Sequence, residues 1–194
     1  PVVCALTPSE RESDLSVTPD EAQGARLAVE HLIACGRTRI AHITGPVRHH
    51  SSRVRARAFE ETLAAAGLSP AGGQVHYGEW SEPWGRQAAH RVLNTAPGCD
   101  AIFCGSDQIA RGVADSLREA GRAVPEDIAL VGFDNWDVMV TACRPPLTTV
   151  DMDLGELGRA AAMRLLEAID GRPRPGLQRL PCRLVVRGST DPQR

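Results

Sequence analysis

Asp100-Ala101-Ile102-Phe103-Cys104, Ser106-Asp107, Val124-Pro125-Glu126-Asp127-Ile128, Val131-Gly132-Phe133-Asp134-Asn135 and Pro145-Pro146-Leu147-Thr148-Thr149-Val150 follow one another between residues 100 and 150. Their order decides the fold. Ala101–Cys104 is an apolar run of the length of a fully buried strand, residues 107–120 carry a helical pattern ended by Gly121, and residues 128–133 form a second buried-strand run. Strand, helix and strand in direct succession are the unit of a parallel sheet covered by helices on both faces.

The alternation extends in both directions. Thr18-Pro19-Asp20-Glu21 reads as a helix start, with Thr18 as cap, Pro19 at the first helical position and Glu21 reaching back in a capping box. That helix is expected to run to Cys35 and stop at Gly36, with Ala25, Ala28, Val29, Leu32 and Ile33 as its apolar face. A strand over 39–44, a helix over 52–66 ended by Gly67, a strand over 74–77 and a helix from Ser81 or Glu82 to Asn94 follow. Residues 1–6 read as a strand. After Val150 come a helix over 154–169, a loop rich in Arg, Pro and Gly at 172–176, and short extended pieces around Leu180 and at 184–186. The fold class is α/β, a parallel sheet flanked by helices.

With 194 residues, 42% of them hydrophobic and 24% charged, the chain can bury a sizeable core. Its apolar runs are strand-sized, short of the roughly 20 residues that span a bilayer, so no membrane partner is expected. A net charge of −2 without a concentrated basic stripe argues against nucleic-acid binding by these residues. All 22 basic residues are Arg, which fits a GC-rich coding bias better than recognition chemistry. Six scattered cysteines without a Cys-x-x-Cys pair read as reduced thiols in a cytoplasm, and they lack the ligand spacing of a metal site. No cofactor is implied. The chain opens on a strand with neither Met nor a signal-peptide segment, so it is expected to start inside a longer protein.

Open α/β sheets bind ligands beyond the carboxyl ends of their strands. The residues there are His49, His50, Ser51, Arg53, Arg55, Trp80, Trp84, Ser106, Asp107, Asp134, Asn135, Trp136 and Asp137. All three Trp residues of an aromatic-poor chain fall among them. Gly105-Ser106-Asp107-Gln108 is not the nucleophile elbow of hydrolases, and no Gly-rich phosphate loop is present. The chain does not read as an enzyme.

The order of motifs from Asp100 to Val150 resembles the LacI/GalR family of bacterial transcriptional regulators. Further pieces extend the likeness over the chain: Asp20 and Gly24, His31-Leu32, Gly36-Arg37-Thr38-Arg39-Ile40-Ala41, Gly45-Pro46, Arg55 before Phe59, and Leu180-Pro181-Cys182 through Gly188-Ser189. The resemblance implies a periplasmic-binding-protein-like type I sensor: two α/β subdomains joined by three crossovers, clamping a small effector between them. One subdomain would be nearly complete and the other partial. Residues 1–19 would be a remnant of the N-terminal subdomain, 20–151 the C-terminal effector-binding subdomain, 152–181 a return segment, and 182–194 the final strand and tail. The implied effector is a small polar metabolite, a sugar or a relative of one. DNA would be bound only through a helix-turn-helix domain outside this chain, and a homodimer is implied.

The resemblance also assigns ligand-binding roles. Arg55 matches an arginine whose planar fork can hold two hydroxyls or a carboxylate. Trp80 matches an aromatic that stacks on a sugar or a flat base, with Trp84 one helical turn on, and Ser51 matches a serine that can reach ligand. Asp134 matches an acid that accepts hydrogen bonds from ligand hydroxyls. Ser106 departs from the family's Asn, so either the ligand differs, a water bridges the gap, or the position is degenerate. Asp107 reads as a helix cap, Arg53 as structural, and His49 and His50 as a solvated loop. Two other readings stay open: a periplasmic sugar-binding protein of a transporter, which shares the two-lobed fold, and an oligomerisation module.

Overall fold

A computed structural model describes residues 1–191; the tail beyond them, which the sequence reading assigned to the last segment, lies outside the described residues. In chain order the elements are β1 (Val3–Ala5), β2 (Leu15–Pro19), α1 (Glu21–Ala34), β3 (Ile40–Thr44), α2 (His50–Ala65), β4 (Val75–Tyr77), α3 (Glu82–Thr95) and β5 (Ala101–Cys104). There follow α4 (Asp107–Glu119), β6 (Ala129–Asp134), α5 (Asp137–Val140), β7 (Thr148–Asp151), α6 (Leu154–Ile169), β8 (Gly176–Leu180) and β9 (Arg183–Val185). Two sheets result. The larger runs β4-β3-β5-β6-β7-β9, parallel throughout except for β9, which returns antiparallel to β7; the smaller runs β1-β2-β8 and is wholly parallel.

Both faces of the larger sheet are buried, which is why its central strands are continuous apolar runs in the sequence. Successive side chains point to opposite faces. Ala101 and Phe103 of β5 join Ala129, Val131 and Phe133 of β6 against α1 and α2. Ile102 and Cys104 join Ala41, Ile43 and Leu130 against α3 and α4. Each large side chain buried this way contributes about 1.5–3 kcal/mol. The α3–α4 crossing depends on two glycines: a Cβ at Gly112 would lie 2.1 Å from the Glu82 carbonyl oxygen, and one at Gly85 would lie 2.2 Å from that of Ile109. Any larger residue would force the helices apart.

The start of α1 differs from the expectation. Thr18 and Pro19 belong to β2, where they face Arg179 and Leu180 of β8. Strand pairing claims the backbone through Pro19, so the helix begins two residues later, with Asp20 as its cap accepting from the Gln23 N–H at 3.0 Å. Glu21 closes no capping box. It turns inward, as described below. Similarly, Ser106 rather than Asp107 caps α4, accepting from the Ile109 N–H at 3.2 Å. The C-terminal glycines behave as read: Gly36, Gly67, Gly121 and Gly171 all take positive φ just past their helices. Strands β2 and β7 and the short α5 were not read from the sequence.

The chain crosses between the sheets at three places: β2 to α1, β7 to α6, and β8 to β9. Each is pinned. The Asp20 N–H donates to the Leu180 carbonyl at 2.7 Å, and the Gln23 side-chain amide exchanges two hydrogen bonds with the backbone of Cys182. The Asp153 N–H donates to Asp151 at 2.8 Å. Helix α6 packs on β1 and β2 and leaves Leu154, Met163, Leu166 and Ile169 exposed.

Candidate functional site

The loops that leave the carboxyl ends of β3, β4, β5 and β6 meet at one cavity. It encloses about 250 Å³ and is lined by Ser51, Arg55, Trp80, Ser106 and Asp134, together with Glu21, Gln108, Trp136, Met152 and, from the loop after β1, Leu6 and Thr7. Small-molecule sites usually run from about 300 to 1,000 Å³, so this one suits a small occupant. Five of the six residues singled out from the sequence are therefore brought together.

Trp84 is the exception. It lies in the first turn of α3, behind the Ser81 cap, and its indole N–H donates to the Thr44 carbonyl at 3.0 Å. Its ring covers Gly78, where a Cβ would meet it at 2.2 Å. Trp80 stands before the cap, outside the helix, so the two rings do not share a helical face. Trp84 is a core residue, and the expectation that it borders the ligand cavity does not hold.

Trp80 is positioned by its surroundings. Its ring lies against Gly45, where a Cβ would sit 2.1 Å from the indole, and its N–H donates to Nδ1 of His49 at 2.8 Å. His49 thus orients the ring rather than standing in solvent. Arg53 donates to the carbonyls of Val47 and Arg48 and braces that loop, in keeping with a structural role.

Arg55 projects from α2 into a nearly closed position. Its Nε–H donates to Glu21 at 2.5 Å, an Nη1–H donates to the Gly105 carbonyl, and an Nη2–H points at the Met152 sulfur 3.7 Å away. The guanidinium carbon lies 3.5 Å over the Phe133 ring and 5.9 Å from that of Trp80. Burial opposes the charge, but Glu21 and then Asp134 outweigh it and hold Arg55 above its ordinary value.

Asp134 ends β6 with φ at 118°, and Asn135 follows at 54°. Two consecutive non-glycine residues in this region are strained, and such strain clusters at functional positions. Asn135 is held in place by Arg187, which donates to its Oδ1 at 2.8 Å. Burial lifts the Asp134 carboxyl to about 6; Arg55, 4.0 Å away, pulls it down and Glu21 pushes it up. Behind it Asp107 is fully buried, accepting from the Thr149 hydroxyl at 2.5 Å and the Trp136 N–H at 2.8 Å. Burial lifts this carboxyl to about 7. Asp107 ties the ends of β6 and β7 to α4 and does not line the cavity.

Ser106 uses its oxygen lone pair to cap α4 and keeps its hydroxyl proton to donate. Gln108, Glu21 and Met152 were missed in the sequence; Trp136 was noted at a strand end without a role. Among the described residues no group of three His, Cys, Asp or Glu side chains is placed to hold a metal, and no helix is long and apolar enough to cross a membrane. The cysteines carry free thiols, four of them buried.

The sequence profile of the periplasmic binding protein-like domain family matches residues 29–190. The HTH-type transcriptional regulator CelR of Thermobifida fusca is 36% identical over 164 residues, covering 84% of this chain and 47% of that protein. The lactose operon repressor of Escherichia coli is 35% identical over 176 residues, covering 90% of this chain and 48% of that protein. The chain spans about half the length of the curated relatives it matches. Among solved structures, a CelR–cellobiose complex superposes with a TM-score of 0.89 at 34% identity, over 96% of this chain and 58% of that one. A lac repressor dimer bound to operator and the anti-inducer ONPF superposes with a TM-score of 0.90 at 32% identity, over 98% of this chain and 56% of that one.

Proposed function

The chain belongs to the periplasmic binding protein-like domain family, in the LacI/GalR group of regulators, and from that membership we propose that it is the effector-sensing part of a DNA-binding transcriptional regulator. Its effector is a small polar metabolite, a sugar or sugar derivative, bound in the cavity around Trp80 and Asp134. Residues 1–19 and 152–181 form part of one subdomain, and 20–151 with the strand after Cys182 form the other. The regulator works in the cytoplasm as a homodimer and meets DNA through a domain outside this chain.

The observation that carries the proposal is the composition of the cavity wall. Side chains from four strand ends of the larger sheet meet Leu6 and Thr7 of the smaller-sheet side. A ligand touching both sides binds better in one relative placement of the two sheets than in another, and differential affinity is what a ligand needs to shift an equilibrium. Coupling of this type amounts to about 1–3 kcal/mol.

The side chains fit a hydroxylated ligand. Asp134 accepts from ligand hydroxyls, each charge-assisted bond contributing about 1.5–3 kcal/mol. Trp80 stacks on the apolar face of a pyranose, Ser106 and Ser51 donate or accept at its edge, and Arg55 offers its unused Nη hydrogens. The complex of CelR with cellobiose supports the sugar class.

A thermal-shift screen of the regulator against sugars, nucleosides and amino acids tests the reading. A sugar that raises the melting temperature, and whose calorimetric affinity drops about tenfold or more in Trp80→Ala and Asp134→Ala, is the expected result. Unchanged affinity in both variants would remove these positions from the site.

A further inference from the structure

The charge balance of the cavity points to a selectivity device. Among the described residues lining it, Arg55 is cationic while Glu21 and Asp134 are anionic. The cation is not free to meet a ligand anion. Glu21 holds Nε at 2.5 Å with both side chains almost fully buried, 5% and 7% exposed, the Gly105 carbonyl takes Nη1, and Met152 covers Nη2. Three of its five N–H groups are thereby held by the protein and its charge is met by Glu21, so that one hydrogen on each Nη is left for a neutral acceptor. Asp134 is more open, at 29%, and stands 4.0 Å from Nη1. The other arginines nearby lie further out: Arg48 and Arg53 border an adjoining groove, and Arg53 is engaged with backbone carbonyls.

Local folding makes this arrangement. Because β2 runs through Pro19 and Asp20 supplies the cap, Glu21 is released from any capping duty and enters the cavity from the first turn of α1. A ligand carboxylate or phosphate would bring a further negative charge into a poorly solvated space where the one guanidinium is already neutralised and Asp134 repels it.

We propose that Glu21 is a specificity-determining residue: by occupying Arg55 it makes the cavity select neutral polyhydroxyl ligands and exclude their carboxylate or phosphate counterparts. This rests on the reading of the cavity as the effector site. It differs from a generic sugar site, in which the arginine fork would serve a carboxylate equally well.

The test uses pairs that keep the pyranose ring and differ in charge, titrated by calorimetry into the regulator: glucose and glucuronate, galactose and galacturonate, glucose and glucose 6-phosphate, cellobiose and cellobiose 6′-phosphate, lactose and lactose 6′-phosphate. For every pair with a binding neutral member, the anion binds at least about tenfold more weakly. Glu21→Gln narrows that ratio by about tenfold, and Glu21→Asp, which keeps the charge, retains it. An anion binding the wild type within tenfold of its neutral parent overturns the inference, as does an unchanged ratio in a folded Glu21→Gln protein. The wild-type ratio decides even where Glu21→Gln does not fold. If neutral and anion bind alike, only this inference falls; if no member of any pair binds, the reading of the cavity falls and takes the inference with it.

Discussion

Replacing Asp107 by Asn will stabilise the protein at neutral and alkaline pH. Asp107 is fully buried in the first turn of α4, and burial, reinforced by Asp134, lifts its carboxyl from 3.8 to about 7 against the hydrogen bonds of Thr149 and Trp136. A rise of that size corresponds to about 4 kcal/mol of preference for the protonated form. Between the unfolded value near 3.8 and the folded value near 7 the native state holds one more proton than the unfolded chain. Stability therefore falls as pH rises through that window, by at most about 1.4 kcal/mol per pH unit, and is level above it. Asn is isosteric and keeps both contacts: its carbonyl takes the Trp136 N–H, and its amide donates to the Thr149 hydroxyl. Urea unfolding followed by Trp fluorescence from pH 5 to 8.5 should show Asp107→Asn gaining about 3 kcal/mol on the wild type between pH 5 and pH 8, the part of the full effect that falls inside this range. Asp134, also raised, contributes to both proteins and largely drops out of the difference. A stability difference that is the same at pH 5 and pH 8 would refute the reasoning.

Three further outcomes separate core from cavity. Trp84→Ala should lower unfolding stability by about 3–5 kcal/mol and Trp80→Ala by clearly less; equal losses in urea titrations would put both rings in the core. Gly112→Ala should lose about 1–3 kcal/mol, since its Cβ meets the Glu82 backbone rather than a movable side chain, and an unchanged midpoint would mean the α3–α4 crossing can relax. Affinity for a neutral sugar should fall as pH drops below about 6, where Asp134 protonates and its charge-assisted bonds weaken; a pH profile identical in Asp134→Asn would assign the effect elsewhere.

The α/β alternation was legible because the larger sheet is buried on both faces, so that Ala101–Cys104 and Val131 to Phe133 stand out as unbroken apolar runs. β2 was hidden by its own ending: Thr18-Pro19-Asp20-Glu21 satisfies every local rule for a helix start, and only pairing with β8, some 160 residues away, assigns the first two residues to a strand. Arg55, Trp80, Ser106, Asp134 and Ser51 could be named because strand-end loops and the family's motif order mark them. Trp84 was misplaced because sequence distance from Trp80 was read as helical spacing across a cap that lies between them. Glu21 carried no signal at all: its part depends on where a distant strand ends, and its sequence neighbours offered a more ordinary use for it.

The antiparallel β9 has a consequence for how this chain comes into being. During synthesis β3 through β7 leave the ribosome well before residues 183–185, and until those arrive the outer edge of β7 presents unpaired backbone amides and carbonyls. The final stitches, from Ser189 to the Leu130 carbonyl at 2.6 Å and from Thr190 to Thr148 at 2.8 Å, close later still. A nascent polypeptide stalled ahead of Cys182 would display an open, adhesive sheet margin, so the interval before residues 183–185 emerge is the stage at which the larger sheet most needs chaperone shelter.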